Sequence, residues 1–141
     1  MLTVIAPPRG TDAYGSGRFG AKRGSRLHLG IDDAIWPGSL VCSMTSGVVT
    51  RLGWPYSEPE RKKLRLIEIK NDIDGALVRY LYLSPHVVEG QRVERDQVLG
   101  SVQDLREFYK NGMTPHCHVD VNINGTFVDP EIYFKSLYSK V

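Results

Sequence analysis

Two short segments near opposite ends of this 141-residue chain hold three of its four histidines: His28-Leu29-Gly30-Ile31-Asp32 and Pro115-His116-Cys117-His118. His116 and His118 open the alternating run His116-Cys117-His118-Val119-Asp120-Val121-Asn122, which reads as a strand. The period of two sets both imidazoles on one face, where one can bind a metal while the other works beside it. Gly30 and the β-branched Ile31 make the segment from His28 to Asp32 extended rather than helical, and residues four apart on a strand also share a face. Two imidazoles and one carboxylate are a normal ligand set for catalytic zinc, which keeps a fourth position open for water and lowers its pKa to about 7. A structural zinc more often closes its site with cysteines. Each motif alone is weak, because His-x-x-x-Asp is commonly a surface pair and a strand histidine is commonly half-buried and hydrogen-bonded.

The elements that must carry these residues are mostly strands. Val48–Gly53, Leu64–Asn71, Ala76–Leu83, Gln97–Val102, Cys117–Asn122 and Thr126–Val128 are rich in Val, Ile, Leu and Tyr and bounded by Gly, Asn, Asp or Pro. Asp72-Ile73-Asp74-Gly75 and Asn124-Gly125 are hairpin turns. Trp54 to Lys63 is a polar, proline-bearing connection, read either as a plain hairpin loop or as the flank of a substrate groove. Asp104–Lys110 predicts a short helix capped by Asp104, and Pro130–Tyr138 a C-terminal helix with Asp129 as its cap. Many strands and little helix predict a mostly β fold, a small antiparallel β-sheet with a short C-terminal helix, in a single domain over residues 1–141. Cys117 alternates with the histidines and so points to the packing side, although a disulfide with Cys42 is compatible with the sequence. Asp120 shares the face of His118, either orienting a neighbour there or standing as an exposed carboxylate.

The order of these motifs resembles the lysostaphin-type zinc endopeptidase family. The likeness runs from about Gly15 to Pro130 through Gly15-Ser16-Gly17-Arg18-Phe19-Gly20, His28-Leu29-Gly30-Ile31-Asp32, Ser46-Gly47-Val48-Val49, Gly90 to Gly100, and Thr114-Pro115-His116-Cys117-His118-Val119. The resemblance implies a zinc ion on His28, Asp32 and His118, with His116 acting beside it in catalysis. It also implies a substrate, the peptide bridges of bacterial peptidoglycan. One departure stands out: most members carry a second catalytic histidine in Tyr-x-His-Leu-Ser, whereas this chain reads Tyr80-Leu81-Tyr82-Leu83-Ser84. A phenol with a reference pKa of about 10 is no base near neutral pH, but its O–H can donate to a developing oxyanion. Phage and prophage members resemble this chain around Ser16-Gly17-Arg18-Phe19-Gly20 and also show tyrosine at the position of Tyr82. His86, after Pro85, is the one spare histidine and reads as part of a turn.

A net charge of +2 with 24% charged residues is mildly basic. Arg9, Arg18, Lys22, Arg23 and Arg26 suit either an anionic surface such as cell-wall polymer or a solvated loop. No nucleic-acid module accompanies the charge, and the glycines at 15, 17, 20 and 24 lack the Gly-Lys-Ser/Thr ending of a phosphate loop. The start Met1-Leu2-Thr3-Val4-Ile5-Ala6-Pro7 is too short an apolar run for a signal peptide, and no stretch reads as a membrane span. The expectation is therefore a cytoplasmically made protein that acts at the cell wall, reached by lysis or as part of a phage particle. Two readings compete with the enzyme: a zinc-bearing binding module without turnover, and a structural component of a phage tail or similar particle.

Overall fold

β-branched and aliphatic residues at alternate positions give this chain its long strands, and a computed structural model shows how they pair. It describes residues 11–12, 15–16, 19–23, 26–27, 30–57, 62–107 and 115–138. Four two-residue strands come first and form two small antiparallel ladders: β1 (Thr11–Asp12) with β2 (Gly15–Ser16), and β3 (Lys22–Arg23) with β4 (Arg26–Leu27). Of the basic residues expected to act on an anionic surface, Lys22, Arg23 and Arg26 belong to β3 and β4, with side chains outside those described, and Arg9 and Arg18 lie outside the described residues.

The main sheet is built from β5 (Ile31–Ala34), β7 (Gly47–Gly53), β8 (Leu66–Asn71), β9 (Leu77–Leu81), β11 (Arg92–Val93), β13 (His116–Ile123) and β14 (Thr126–Val128), all antiparallel. Its order is β11-β7-β8-β9-β13, after which the eight-residue β13 takes two partners on its outer edge. β5 pairs with residues 116–119 and β14 with residues 121–123. A second sheet of three strands has the order β10 (Leu83–Pro85), β12 (Val98–Val102), β6 (Leu40–Cys42).

The principal core lies on one face of the main sheet. Val49, Ile67, Ile69, Val78, Tyr80, Cys117, Val119 and Val121 point into it and meet Leu83, Leu99 and Val102 from the small sheet and Phe134 from α1 (Pro130–Tyr138). Fully burying each such aliphatic side chain stabilises the fold by roughly 1.5–3 kcal/mol. Tyr80, buried among them, accepts a hydrogen bond from the Met44 amide at 2.8 Å. Burial keeps its phenol un-ionised, well above the usual tyrosine range. A second, smaller cluster groups Leu64, Leu66, Leu81, Tyr82 and Leu105, with Tyr56 packed against it.

The hairpin Asn124-Gly125 turns with both residues at positive φ (50° and 89°), as a tight two-residue hairpin requires. α1 begins at Pro130, and Asp129 caps it by accepting from the Glu131 amide at 2.9 Å. Two expectations need correction. The strand expected over Ala76–Leu83 is broken at Tyr82, where the backbone turns left-handed and carries the chain from the main sheet into the small one. The helix expected over Asp104–Lys110 is, within the described residues, a single 3-10 turn, Leu105–Glu107, with Asp104 accepting from the Arg106 amide. Cys42 and Cys117 are free thiols. No described helix is long and apolar enough to cross a membrane.

Candidate active site

The alternation of β13 that buries Cys117, Val119 and Val121 sends His116, His118 and Asp120 to the opposite face. Pairing completes the grouping, since His118 stands directly across from Asp32 on β5 and from Leu81 on β9. Gly30, just before β5, makes this possible. A β-carbon there would lie 2.4 Å from the Val119 carbonyl oxygen and 2.7 Å from two atoms of the His118 ring, so only glycine lets the backbone pass over the imidazole.

Asp32, buried at 3% exposure, faces both histidines. Its Oδ1 is 2.9 Å from His118 Nδ1, and its Oδ2 is 3.5 Å from His116 Nε2. The other ring nitrogen of His118, Nε2, donates to Asp120 Oδ2 at 3.0 Å. Arg79, across the strand pair from Asp120, donates to that same carboxylate through Nε (2.7 Å) and Nη2 (2.9 Å). Asp120 is therefore a buried member of the network rather than an exposed strand carboxylate. Burial alone would push its carboxyl up, but the bonds from His118 and Arg79 hold it below the ordinary range. Burial likewise pulls His118 down, and the hydrogen bonds to Asp120 and Asp32 outweigh it, raising the imidazole to about 9.

The donor set fits a cation. With the Nε2 proton held by Asp120, Nδ1 presents a lone pair to a carboxylate oxygen 2.9 Å away. Two acceptors at that distance need something positive between them: a second proton on the ring, or a metal ion. Among the described residues no three His, Cys, Asp or Glu side chains make a group that could hold a metal. The third ligand expected from the sequence, His28, lies outside the described residues.

Tyr82 joins His116 and His118 through its backbone conformation. Strict alternation after Leu81 would point it toward the core beside Tyr80. Its φ of 76° breaks the alternation, and the ring lies edge-on to His116 with centroids 5.3 Å apart and 6.5 Å from His118. A bulky residue in this region costs roughly 1–3 kcal/mol, which surrounding structure must hold in place. Here the Tyr82 amide donates to the Arg65 carbonyl at 2.7 Å, and its carbonyl accepts from the Gln103 amide at 2.8 Å. His86 is elsewhere: it is exposed at the end of β10, with Nε2 3.4 Å from Ser101 Oγ.

Two participants escaped the sequence reading. Tyr56, from the connection after β7, stacks on Tyr82 (interplanar angle 10°) with the two hydroxyls 2.8 Å apart. Nothing in Pro55-Tyr56-Ser57 signals this, because only the fold brings the segment to Tyr82. Arg79 did carry a signal: between the core residues Val78 and Tyr80, period two assigns it to the other face, the face of the site.

Known proteins share sequence and fold with this chain. A sequence description of peptidase family M23 matches residues 26–130. The chain is 29% identical over 126 residues to leukocyte cell-derived chemotaxin-2 of Mus musculus, covering 89% of this chain and 78% of that protein. Lysostaphin, solved in solution, superposes with a TM-score of 0.68 at 23% identity over 92% of this chain. The present chain covers 52%, about half, of that protein. A variant of the catalytic domain of the prophage-encoded M23 protein EnpA of Enterococcus faecalis gives a TM-score of 0.62 at 23% identity, covering 91% of this chain and 96% of that one. At these identities the two structures speak for the fold alone, a lysostaphin-like one.

Proposed function

This chain belongs to peptidase family M23, and on that premise we propose that it is a zinc-dependent endopeptidase cleaving the peptide cross-links of bacterial peptidoglycan. The observation that carries the proposal is the convergence of His118 Nδ1 and His116 Nε2 on the Asp32 carboxylate, with Tyr82 edge-on beside them. His28, Asp32 and His118 are the residues that would hold the metal. Bound zinc supplies Lewis acidity, polarising a carbonyl and easing deprotonation of water.

The remaining chemistry belongs to side chains of this protein. His116 is buried, and its Nε2 is within reach of the same carboxylate, so in this reading it takes a proton from the attacking water and returns it to the leaving amine. Tyr82 stands where most members of the lysostaphin-type family carry a histidine. Its O–H would donate to the oxygen that becomes negative as the carbonyl carbon turns tetrahedral. Asp120 and Arg79 hold His118 from behind. The site of action that follows from such a substrate is the cell wall.

A second reading has support of its own: a groove that binds wall peptide or a protein without cutting it. The Tyr82 hydroxyl already has a partner in Tyr56, and one relative is named for chemotaxis rather than hydrolysis. Incubating zinc-loaded protein with cross-linked muropeptides and analysing the products for new amino and carboxyl termini decides between them. New termini that vanish with a chelator support the peptidase. Intact muropeptides retained on the protein support the binder.

A further inference from the structure

We propose that Arg79 is a positioning residue for the metal site: by clamping Asp120 with two parallel hydrogen bonds, it fixes the tautomer in which His118 offers Nδ1 to the metal. The inference rests on the zinc reading above and extends it to residues remote from the reacting atoms.

Three observations carry it. The pair is set by register rather than by a chance rotamer, since Arg79 and Asp120 are cross-strand partners between β9 and β13. The guanidinium engages both carboxylate oxygens, at 2.7 and 2.9 Å, which leaves the Asp120 plane a single orientation. One of those oxygens, Oδ2, is also the acceptor for His118 Nε2 at 3.0 Å. A carboxylate held in this way accepts and cannot donate. When a metal takes the place of the second ring proton, the imidazole keeps its remaining proton on Nε2, toward Asp120, and its lone pair is on Nδ1, the nitrogen that faces Asp32.

The charges support the same assignment. Asp120 is 2% exposed, and a buried carboxylate needs a partner that satisfies both of its oxygens. Arg79, with its side chain still 26% exposed, neutralises it while keeping part of its solvent contact, and Phe127 lies under the guanidinium at 5.4 Å. Lysine at position 79 would bring the charge without the fork, so it could not define the carboxylate plane.

The test is zinc affinity measured by competition with a chelator, on the full chain, for wild type, Arg79→Gln and Arg79→Lys. It is paired with nitrogen NMR of the zinc-loaded protein to assign the His118 tautomer. We expect Arg79→Gln to bind zinc roughly 10- to 100-fold more weakly, the usual scale for losing an outer partner of a metal ligand. Arg79→Lys should fall between it and wild type, and the Nε2 proton of His118 should lose its hydrogen-bonded signature in Arg79→Gln. A merely structural salt bridge would lower the melting temperature and leave both readouts unmoved, and that result overturns the proposal. If Arg79→Gln does not fold, Arg79→Lys decides: wild-type affinity with a wild-type tautomer signal overturns it. Wild-type protein that takes up no zinc overturns the reading on which this one rests. Zinc-binding wild type with an unaffected Arg79→Gln overturns this inference alone.

Discussion

The hydroxyls of Tyr56 and Tyr82 stand 2.8 Å apart on stacked rings, although 26 residues separate them and they belong to different segments of the fold. One of the two must donate to the other. If Tyr56 donates, the Tyr82 proton is directed outward and its oxygen is polarised, which makes it a better donor to a developing oxyanion.

Tyr82→Phe keeps the ring, its stacking on Tyr56 and its edge-on contact with His116, so its effect reports the hydroxyl alone. Turnover of a muropeptide should fall by about 10²–10³ while zinc content and substrate affinity barely change, because the donor acts mainly in the transition state. Kinetics in which kcat is undiminished would rule out the oxyanion role. In the binding-only reading the native chain cleaves nothing, and the same variant alters affinity alone.

Tyr56→Phe should cost less, a loss of roughly twofold to tenfold, the scale of one net hydrogen bond. Since both hydroxyls act as a unit, the double variant should be no slower than Tyr82→Phe by itself, and a double-mutant cycle measures this coupling. Fully multiplicative losses would separate the two tyrosines functionally.

His116 and His118 face the same carboxylate but should respond differently to substitution. His116→Ala should retain zinc and lose about 100-fold or more in turnover. His118→Ala, Asp32→Ala and His28→Ala should each release the metal, since two protein ligands are too few. Metal analysis of the four purified variants checks this. Zinc lost from His116→Ala and kept in His118→Ala would reverse the assignments.

Gly30→Ala places a methyl group 2.4 Å from the Val119 carbonyl and 2.7 Å from the His118 ring, so either β5 lifts from β13 or the imidazole rotates. Overpacking of this kind costs about 1–3 kcal/mol. The expected result is a lower melting temperature together with weaker zinc binding, read by thermal unfolding with and without metal. A variant that binds zinc as tightly as the native chain would show that the close approach has no bearing on His118.

Much of the fold was legible in the chain because its signals are local. Thr126–Val128 and Pro130–Tyr138 have the bounds that turn and cap residues predict, and the alternation of β13 separates Cys117 from His116 and His118 without reference to any other segment. The short strands β6, β10 and β11 left no comparable trace, since two or three residues are too few to show a period. Tyr82 misled the strand pattern for a related reason: Leu81, Tyr82 and Leu83 are all apolar enough to continue β9, and the break lies in a backbone angle held by the carbonyl of Arg65 and the amide of Gln103.

What the sequence determined by itself was the inventory and its local geometry: imidazoles two apart on one strand face, a carboxylate on an extended segment, and a tyrosine in place of a histidine. What only the tertiary structure decided was the set of pairings. Register places Asp32 against His118 and Arg79 against Asp120, and the folding of the connection after β7 brings Tyr56 onto Tyr82. These contacts span 86, 41 and 26 positions along the chain. Such pairings are fixed by which hydrophobic faces are buried together, and that is a property of the assembled sheets that no single segment carries.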